Sequence, residues 1–220
     1  MDDPVKLVGD DVIKARLDQF ESQLVFRTLL DAFARPGSIA EIPATIANRL
    51  PSGVIPLLAL LGHGSPFAVL GDPDSYWTKV IRHTTGARPT DVAQASYIAI
   101  VGAAAMSYYS NISVGTPSRP DYAAHVAIGF SGAIFEPTNN HTVSDAEVEV
   151  LLRGPGIAGE RRLVIAHPGE ALLNLLGARR DSGTLGFDIW ILDERGRVIG
   201  IPRSCELRHS SRDSSSIGGH

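Results

Sequence analysis

The chain is poor in cysteine and lysine, and each shortage excludes a kind of chemistry. Cys205 is the only cysteine among 220 residues, so neither an internal disulfide nor a cysteine-rich metal site can form within one chain. The lysines are Lys6, Lys14 and Lys79, and none of them follows a predicted strand as a Schiff-base lysine would. The other basic residues are all arginines, which can bind a carboxylate or a phosphate through two parallel hydrogen bonds.

The sequence also lacks the common catalytic motifs. It contains no HExxH zinc motif, no GxSxG nucleophile elbow and no GxxxxGK[ST] phosphate loop. The segment Gly154-Pro155-Gly156 begins like a dinucleotide-binding turn but lacks the third glycine at the required spacing. The seven histidines are scattered along the chain. We therefore predict no catalytic residues, no metal ligands and no cofactor.

Charge and hydropathy exclude two further classes of partner. The net charge of -4 disfavours a protein that binds nucleic acid through its overall field. The longest apolar runs, such as VIPLLALLG, are too short to span a bilayer. The N-terminal residues Met1-Asp2-Asp3 are not followed by the apolar segment of a signal peptide. We expect a soluble, cytoplasmic protein that binds neither nucleic acid nor membrane.

The pattern of apolar residues predicts one α/β domain with a mixed β-sheet flanked by helices. Helices are predicted in DQFESQLVFRTLLDAFARPG, PSGVIPLLALLG, DPDSYWTKVIRHTTG and PGEALLNLLGARRDSG. Strands are predicted in SIAEIP, PFAVLG, SYIAIVG, AHVAIGF, VEVLLRG and RLVIA, and a hairpin in GFDIWILDERGRVIGIPRSCELR. Because AHVAIGF, VEVLLRG and RLVIA follow one another without a helix, we expect them to pair antiparallel. The domain is placed at residues 19–208, between an N-terminal arm (1–18) and a disordered tail (209–220).

The first predicted helix has an apolar face that we assign to the core. Its large apolar residues recur near helical spacing and are Phe20, Leu24, Phe26, Leu29, Leu30 and Phe33. The helix ends at Pro36-Gly37. On this assignment, Phe26→Ala would destabilise the protein by about 3–5 kcal/mol.

The turn Arg153-Gly154-Pro155-Gly156 allows two interpretations. Its backbone N–H groups and Arg153 could bind an anion, or its glycines could simply reverse the chain between two strands. Pro155 removes one donor, and a strand rather than a helix follows, so chain reversal is favoured. Arg153, Gly154, Gly156 and, further along the chain, Arg203 are therefore the candidate anion or ligand contacts, although a solvated role is the simpler interpretation of Arg203. Asp188 opens an apolar strand and would need a hydrogen-bonding partner if buried, which favours a structural role.

Three segments together resemble the PhnH family, the H subunits of the bacterial carbon–phosphorus lyase system for phosphonate use. The first runs from Phe26-Arg27 to Pro36-Gly37, and the second is Leu152-Arg153-Gly154-Pro155-Gly156-Ile157. The third comprises Leu185-Gly186-Phe187-Asp188 and, one strand later, Ile201-Pro202-Arg203-Ser204. The resemblance covers roughly residues 19 to 208 and assigns structural roles to Arg27, Pro36, Gly37, Gly186, Asp188 and Pro202. One departure is Leu61–Pro66, which lacks an acidic residue that family members often carry there.

The resemblance implies a fold similar to the large domain of pyridoxal-phosphate aminotransferases, without the cofactor. It implies a homodimer that joins the G, I and J subunits in a core complex. With partner subunits, such proteins support the formation of alpha-D-ribose 1-methylphosphonate 5-triphosphate from ATP and methylphosphonate. Catalysis is usually assigned to the I subunit, so the chain is expected to be a non-catalytic subunit. Two alternatives remain: a small-molecule binding module for phosphonate or nucleotide acting outside the complex, and a free-standing transferase.

Overall fold

The computed structural model describes residues 15–102, 104, 106–181 and 185–210. The α-helices in this part of the chain are α1 (Gln19–Ala34), α2 (Ala44–Ala47), α3 (Ile55–Leu60), α4 (Tyr76–Thr85), α5 (Met106–Ser110) and α6 (Gly169–Asp181). The strands are β1 (Ala40–Glu41), β2 (Pro66–Leu70), β3 (Arg88–Pro89), β4 (Tyr97–Ile100), β5 (His125–Phe130), β6 (Ala133–Phe135), β7 (Glu147–Arg153), β8 (Arg161–Ala166), β9 (Asp188–Asp193), β10 (Arg197–Ile201) and β11 (Glu206–Ser210). None of the described helices is long and apolar enough to cross a membrane.

A seven-stranded mixed sheet forms the centre of the fold, which confirms the predicted α/β class. Its strand order is β1-β10-β9-β5-β4-β2-β3. The strands from β9 to β3 run parallel, whereas β10 and β1 are antiparallel to their neighbours. In this register Tyr97 lies beside His125, and His125 beside Asp188. Directly opposed residues share a face of the sheet, so these three side chains form one row at the amino ends of β4, β5 and β9.

A second sheet differs from the prediction of one sheet. It contains β11-β7-β8-β6, all antiparallel. The expected antiparallel pairing of β7 with β8 is confirmed, but the expected place of β5 beside them is wrong, because β5 runs parallel between β4 and β9. The physical reason is that Val126, Ala127 and Ile128 are all buried, and a strand buried on both faces belongs in the middle of a covered sheet.

The two faces of the seven-stranded sheet bury separate apolar cores. One core lies between the two sheets and includes Leu172, Leu175 and Leu176 of α6. The other lies on the opposite face and packs α1, α3 and α4 against the sheet. Asp193, at the end of β9, is fully buried and accepts hydrogen bonds from the backbone N–H of Ile134 at 3.3 Å and from Nε of Arg197 at 2.7 Å. Because Ile134 belongs to β6, this carboxylate joins the two sheets.

The buried stripe of helix α1 contains fewer of the large apolar residues than the sequence predicted. Val25, Leu29 and Ala32 are buried, whereas the large apolar side chains that remain exposed are Phe20, Leu24, Phe26 and Leu30. The helix backbone lies directly on β10: a Cβ added at Gly200 would be 2.6 Å from the carbonyl oxygen of Ala32. At this contact only a small residue such as Ala32 fits between the helix and β10, whereas Val25 and Leu29 are buried elsewhere along the same stripe.

The assignment of Phe26 to the core is therefore wrong, and the expected effect of its truncation changes. Phe26 is 47% exposed. We expect Phe26→Ala to change the free energy of unfolding by no more than about 1 kcal/mol, because only part of the side chain is buried and no internal cavity is left. Urea unfolding followed by circular dichroism would measure this. A loss near that of Leu29→Ala, whose side chain is buried, would contradict the exposed placement.

The carboxyl ends of β4 and β5 are covered by the turn that precedes α3. A Cβ added at Gly53 would lie 2.6 Å from the carbonyl oxygen of Ile100 and 2.8 Å from the backbone nitrogen of Gly129. Such distances are shorter than any ordinary contact, so a residue larger than glycine does not fit there. The chain itself thus fills the space above these two strands.

Candidate functional site

The three segments that carry the family resemblance meet in space. A Cβ added at Gly156 would lie 3.2 Å from Cδ of Pro36, so the turn after β7 contacts the end of α1. A Cβ added at Gly154 would lie 3.0 Å from Cα of Cys205, which brings the same turn against the segment after β10. Nε of Arg161 donates a hydrogen bond of 3.3 Å to the carbonyl of Gly37. The glycines of the second segment therefore allow close contact with both of the other segments.

Arg179 of α6 holds the third segment in place. Its buried guanidinium donates through Nη2 to the carbonyl oxygens of Arg203 at 2.8 Å and Cys205 at 3.0 Å. Gly186 leaves the necessary space, since a Cβ there would lie 2.9 Å from Cζ of Arg179. Burial lowers the pKa of Arg179, while the charge of Asp188 opposes this shift. The arginine ties together the start of β9 and the loop after β10.

Asp188 connects this loop to the central strands. Its Oδ1 accepts a hydrogen bond of 2.7 Å from the backbone N–H of Arg203. Its Oδ2 lies 3.3 Å from Nδ1 of His125 at the start of the neighbouring strand β5. Asp188 is 8% exposed, so its carboxylate is held between these two partners with little contact with solvent.

The imidazole of His125 lies in a cluster of aromatic rings. It stacks on Tyr97 at 5.3 Å and on Trp190 at 5.7 Å between ring centroids, and Phe33 of α1 lies 6.4 Å away. Burial lowers the pKa of His125, with a smaller opposing effect of Asp188 and a further lowering by the charge of Arg203. The ring is therefore neutral at pH 7, because its ordinary pKa of about 6.5 already lies below that pH.

Arg203 and a neighbouring turn border the cluster. Nη1 of Arg203 donates to the carbonyl of Pro120, which opens a short 3-10 turn ending at Tyr122. Next to this turn, Arg119 pairs with Asp121 at 2.9 Å and its guanidinium lies 3.8 Å from the centre of the Tyr122 ring. The Arg119 hydrogen bond lowers the pKa of Asp121, and the charge of Arg203 adds to the effect. The site thus presents histidine, arginine and tyrosine side chains at the amino ends of the parallel strands.

The structure places the sequence-predicted residues in two locations. Gly186, Asp188, Pro202 and Arg203 belong to the cluster around His125. Arg153 lies apart on the turn, where its Nε pairs with Glu160 at 2.8 Å. The turn joins antiparallel β7 and β8, which confirms chain reversal. Arg27 is exposed on α1.

Sequence reasoning missed His125, Tyr97 and Arg179. Any two of these residues are at least 28 positions apart in the sequence. Only the parallel register of β4, β5 and β9 and the packing of α6 bring them together. The available signal was the position of His125 and Asp188, each at the first residue of a buried strand. In parallel strands such first residues share one edge of the sheet.

A separate cavity of about 560 Å³ is lined by residues of β2 and by the residues that follow it, Gly71, Asp72 and Pro73. Asp72, Asp91, Thr78 and Thr90 are among its lining residues, which include no lysine or arginine. Asp72 already accepts hydrogen bonds from the backbone N–H groups of Trp77 and Thr78 at 3.1 and 2.9 Å. Carboxylates without a cation disfavour an anionic ligand. Among the described residues, no group of three or more His, Cys, Asp or Glu side chains could hold a metal ion.

The fold and the site define an α/β protein in which three motif segments contact one another, and the third of them borders the amino ends of the central strands. Residues 16–208 match the family described as bacterial phosphonate metabolism protein (PhnH), and the chain belongs to this family. A relative from Rhizobium meliloti (strain 1021) is named alpha-D-ribose 1-methylphosphonate 5-triphosphate synthase subunit PhnH. The two chains are 30% identical over 198 residues, which cover 86% of this chain and 90% of the relative.

Proposed function

We propose that this chain is the H-type subunit of a complex that forms alpha-D-ribose 1-methylphosphonate 5-triphosphate from ATP and methylphosphonate in phosphonate catabolism. The observation that carries the proposal is the alignment with a named synthase subunit over 90% of that relative's length. We further propose that the chain is non-catalytic on its own, acts in the cytoplasm and works as a homodimer with G, I and J subunits. Its likeness to the large domain of pyridoxal-phosphate aminotransferases is part of the same proposal.

The exposed face of α1 supports a role as a subunit. Phe20 is 80% exposed and Leu30 57%. At i,i+4 spacing Phe20 neighbours the exposed Leu24 and Leu30 neighbours the exposed Phe26, so α1 carries two exposed apolar pairs. Soluble proteins rarely expose several large apolar side chains together unless the surface binds another protein. Charged residues lie on the same exposed surface, including Arg27 and the ion pair of Arg35 with Asp31, and large apolar side chains together with arginine are enriched at protein interfaces. We assign this face to another subunit of the synthase complex.

Co-expression with candidate partner subunits tests the proposed function directly. The tagged chain is expected to co-elute with them in size-exclusion chromatography, and the assembled complex to convert ATP and methylphosphonate. Light scattering on the chain alone would give the mass of the proposed homodimer. A folded chain that co-elutes with no partner would contradict the subunit role and favour the binding module acting outside the complex. Turnover by the pure chain alone would contradict its non-catalytic role.

A double variant on α1 tests the docking face. We expect Phe20→Ser with Leu30→Gln to weaken partner binding by about tenfold or more, because apolar anchors at an interface each contribute on the order of 1–2 kcal/mol or more. Surface plasmon resonance against the partner subunits measures this. Tyr108→Ser is the matched control, since Tyr108 is 48% exposed but lies on α5. Unchanged affinity in the double variant, or loss of self-association alone, would contradict the assignment of this face.

A further inference from the structure

We propose that His125 and Arg203 bind a singly protonated tetrahedral oxyanion, a phosphonate or phosphate monoanion, at the amino edge of the central sheet. The P–OH group donates to Nε2 of His125, and an anionic oxygen accepts from the guanidinium of Arg203. The proposal goes beyond the subunit role, because it concerns a ligand of this chain alone. It rests on the two ring nitrogens of His125, the hydrogen bonding of Arg203 and the surfaces beside them.

The two ring nitrogens of His125 have different surroundings. Nδ1 is buried and faces Oδ2 of Asp188 at 3.3 Å. The side chain is nevertheless 34% exposed. Because Nδ1 is buried, we assign the exposed part of the ring to the side that carries Nε2. A carboxylate next to Nδ1 favours the tautomer with its proton on Nδ1. In the neutral ring Nε2 is then a hydrogen-bond acceptor open to a ligand.

Arg203 has cationic hydrogen-bonding capacity left for a ligand. Within the described ranges its guanidinium donates to the Pro120 carbonyl and pairs with no carboxylate. Other arginines of the described chain do have acidic partners: Arg119 pairs with Asp121, Arg153 with Glu160 and Arg197 with Asp193. Arg203 also lies close enough for its charge to lower the pKa of His125. A half-exposed guanidinium that donates to one carbonyl is suited to donate further hydrogen bonds to an anionic oxygen.

The combination of groups selects the ligand. A neutral Nε2 requires a donor, whereas Arg203 requires an anion, so the ligand must offer both within one small group. Phosphonate and phosphate monoanions do so, because they carry an O–H beside anionic oxygens. Sulfate has the same shape but carries no proton near neutrality. Asp188 and Asp121 are the acidic groups that act on this region, and they disfavour a fully deprotonated dianion by like-charge repulsion.

Titration of the full-length chain tests the proposal. Methylphosphonate, inorganic phosphate and sulfate are added separately at pH 6.5, heats are measured by calorimetry, and the His125 ring signals are followed by nitrogen-15 NMR. We expect methylphosphonate and phosphate to shift the His125 signals and sulfate to bind at least about tenfold more weakly. Affinity should fall as the pH rises through the second ionisation of the ligand. The relative affinities of methylphosphonate and phosphate identify which of the two the site prefers.

Variants separate this site from non-specific binding. His125→Gln and Arg203→Lys should each weaken methylphosphonate binding at least tenfold, while the backbone N–H of residue 203 still bonds to Asp188. His141→Gln is the matched control, because His141 also faces a carboxylate, that of Glu147, at 3.2 Å. Equal binding of sulfate, unmoved His125 signals or unchanged affinity in both variants would overturn the proposal. The partner-binding assays above are unaffected by any of these outcomes, so the two proposals fail separately.

Discussion

Asp193→Ala is expected to lower the free energy of unfolding by about 3–5 kcal/mol, the usual cost of removing one partner from a buried ion pair. The carboxylate is fully buried and pairs with Nε of Arg197 at 2.7 Å. It also accepts from the backbone N–H groups of Arg195 and Arg197, both at 3.0 Å, and from that of Ile134. Alanine would leave the arginine without its anion and three N–H groups without an acceptor. Chemical denaturation with two spectroscopic probes measures the loss.

Two comparisons show whether the effect comes from this carboxylate. Glu194→Ala changes the next residue along the chain, which is exposed, and should alter stability by no more than about 0.5 kcal/mol. Asp193→Asn keeps the size and one acceptor oxygen but loses the charge, so it should fall between the other two variants. Similar losses in Asp193→Ala and Glu194→Ala would show that the hairpin, not the junction of the sheets, sets the stability.

Arg179→Met is expected to destabilise the chain by about 3 kcal/mol, the upper range for a hydrogen bond from a charged group. Methionine would fill part of the space but leave the carbonyl oxygens of Arg203 and Cys205 without their donor. The loop that carries Arg203 would then loosen, and Asp188 would lose its fixed partner. Thermal unfolding measures the loss, and hydrogen exchange at the backbone amides of residues 203–205 reports the loosening.

The control for this variant is Arg82→Met, because Arg82 is an exposed arginine on α4. It should leave the melting temperature nearly unchanged. Retained stability in Arg179→Met with normal exchange in the loop would mean that solvent or neighbouring groups replace the guanidinium. The convergence of the motif segments would then need another physical basis.

Much of the fold was predictable because its signals are local. The hairpin from Asp188 to Ile201 pairs antiparallel as its sequence indicates, and α4 ends at Gly86 in the left-handed conformation. The last residues assigned to the hairpin, Glu206 to Arg208, belong instead to β11 of the second sheet. The class of α/β protein follows from the order of these elements. The second sheet was not predictable in the same way, because the partner of β7 on one side is β11, more than 50 residues later in the chain.

The outward face of α1 shows why burial is harder to predict than helicity. Helical spacing correctly indicated a helix, but its apolar residues occur on more than one side, and the larger ones were assigned to the core. Which side of the helix is buried depends on Gly200 of a distant strand, because the absence of a side chain there leaves room for Ala32. Likewise, His125 and Asp188 became neighbours only through parallel pairing. Such decisions depend on tertiary contacts that a single sequence does not reveal.

The close fit of Gly53 against Ile100 and Gly129 limits how this architecture can be used. Parallel α/β sheets usually receive nucleotides and other small molecules beyond the carboxyl ends of their strands, where helix dipoles favour phosphate. Here the turn at Gly53 lies against β4 and β5 at the carboxyl ends of these strands. Engineering a cofactor pocket above these two strands would therefore first require that this turn be moved or replaced.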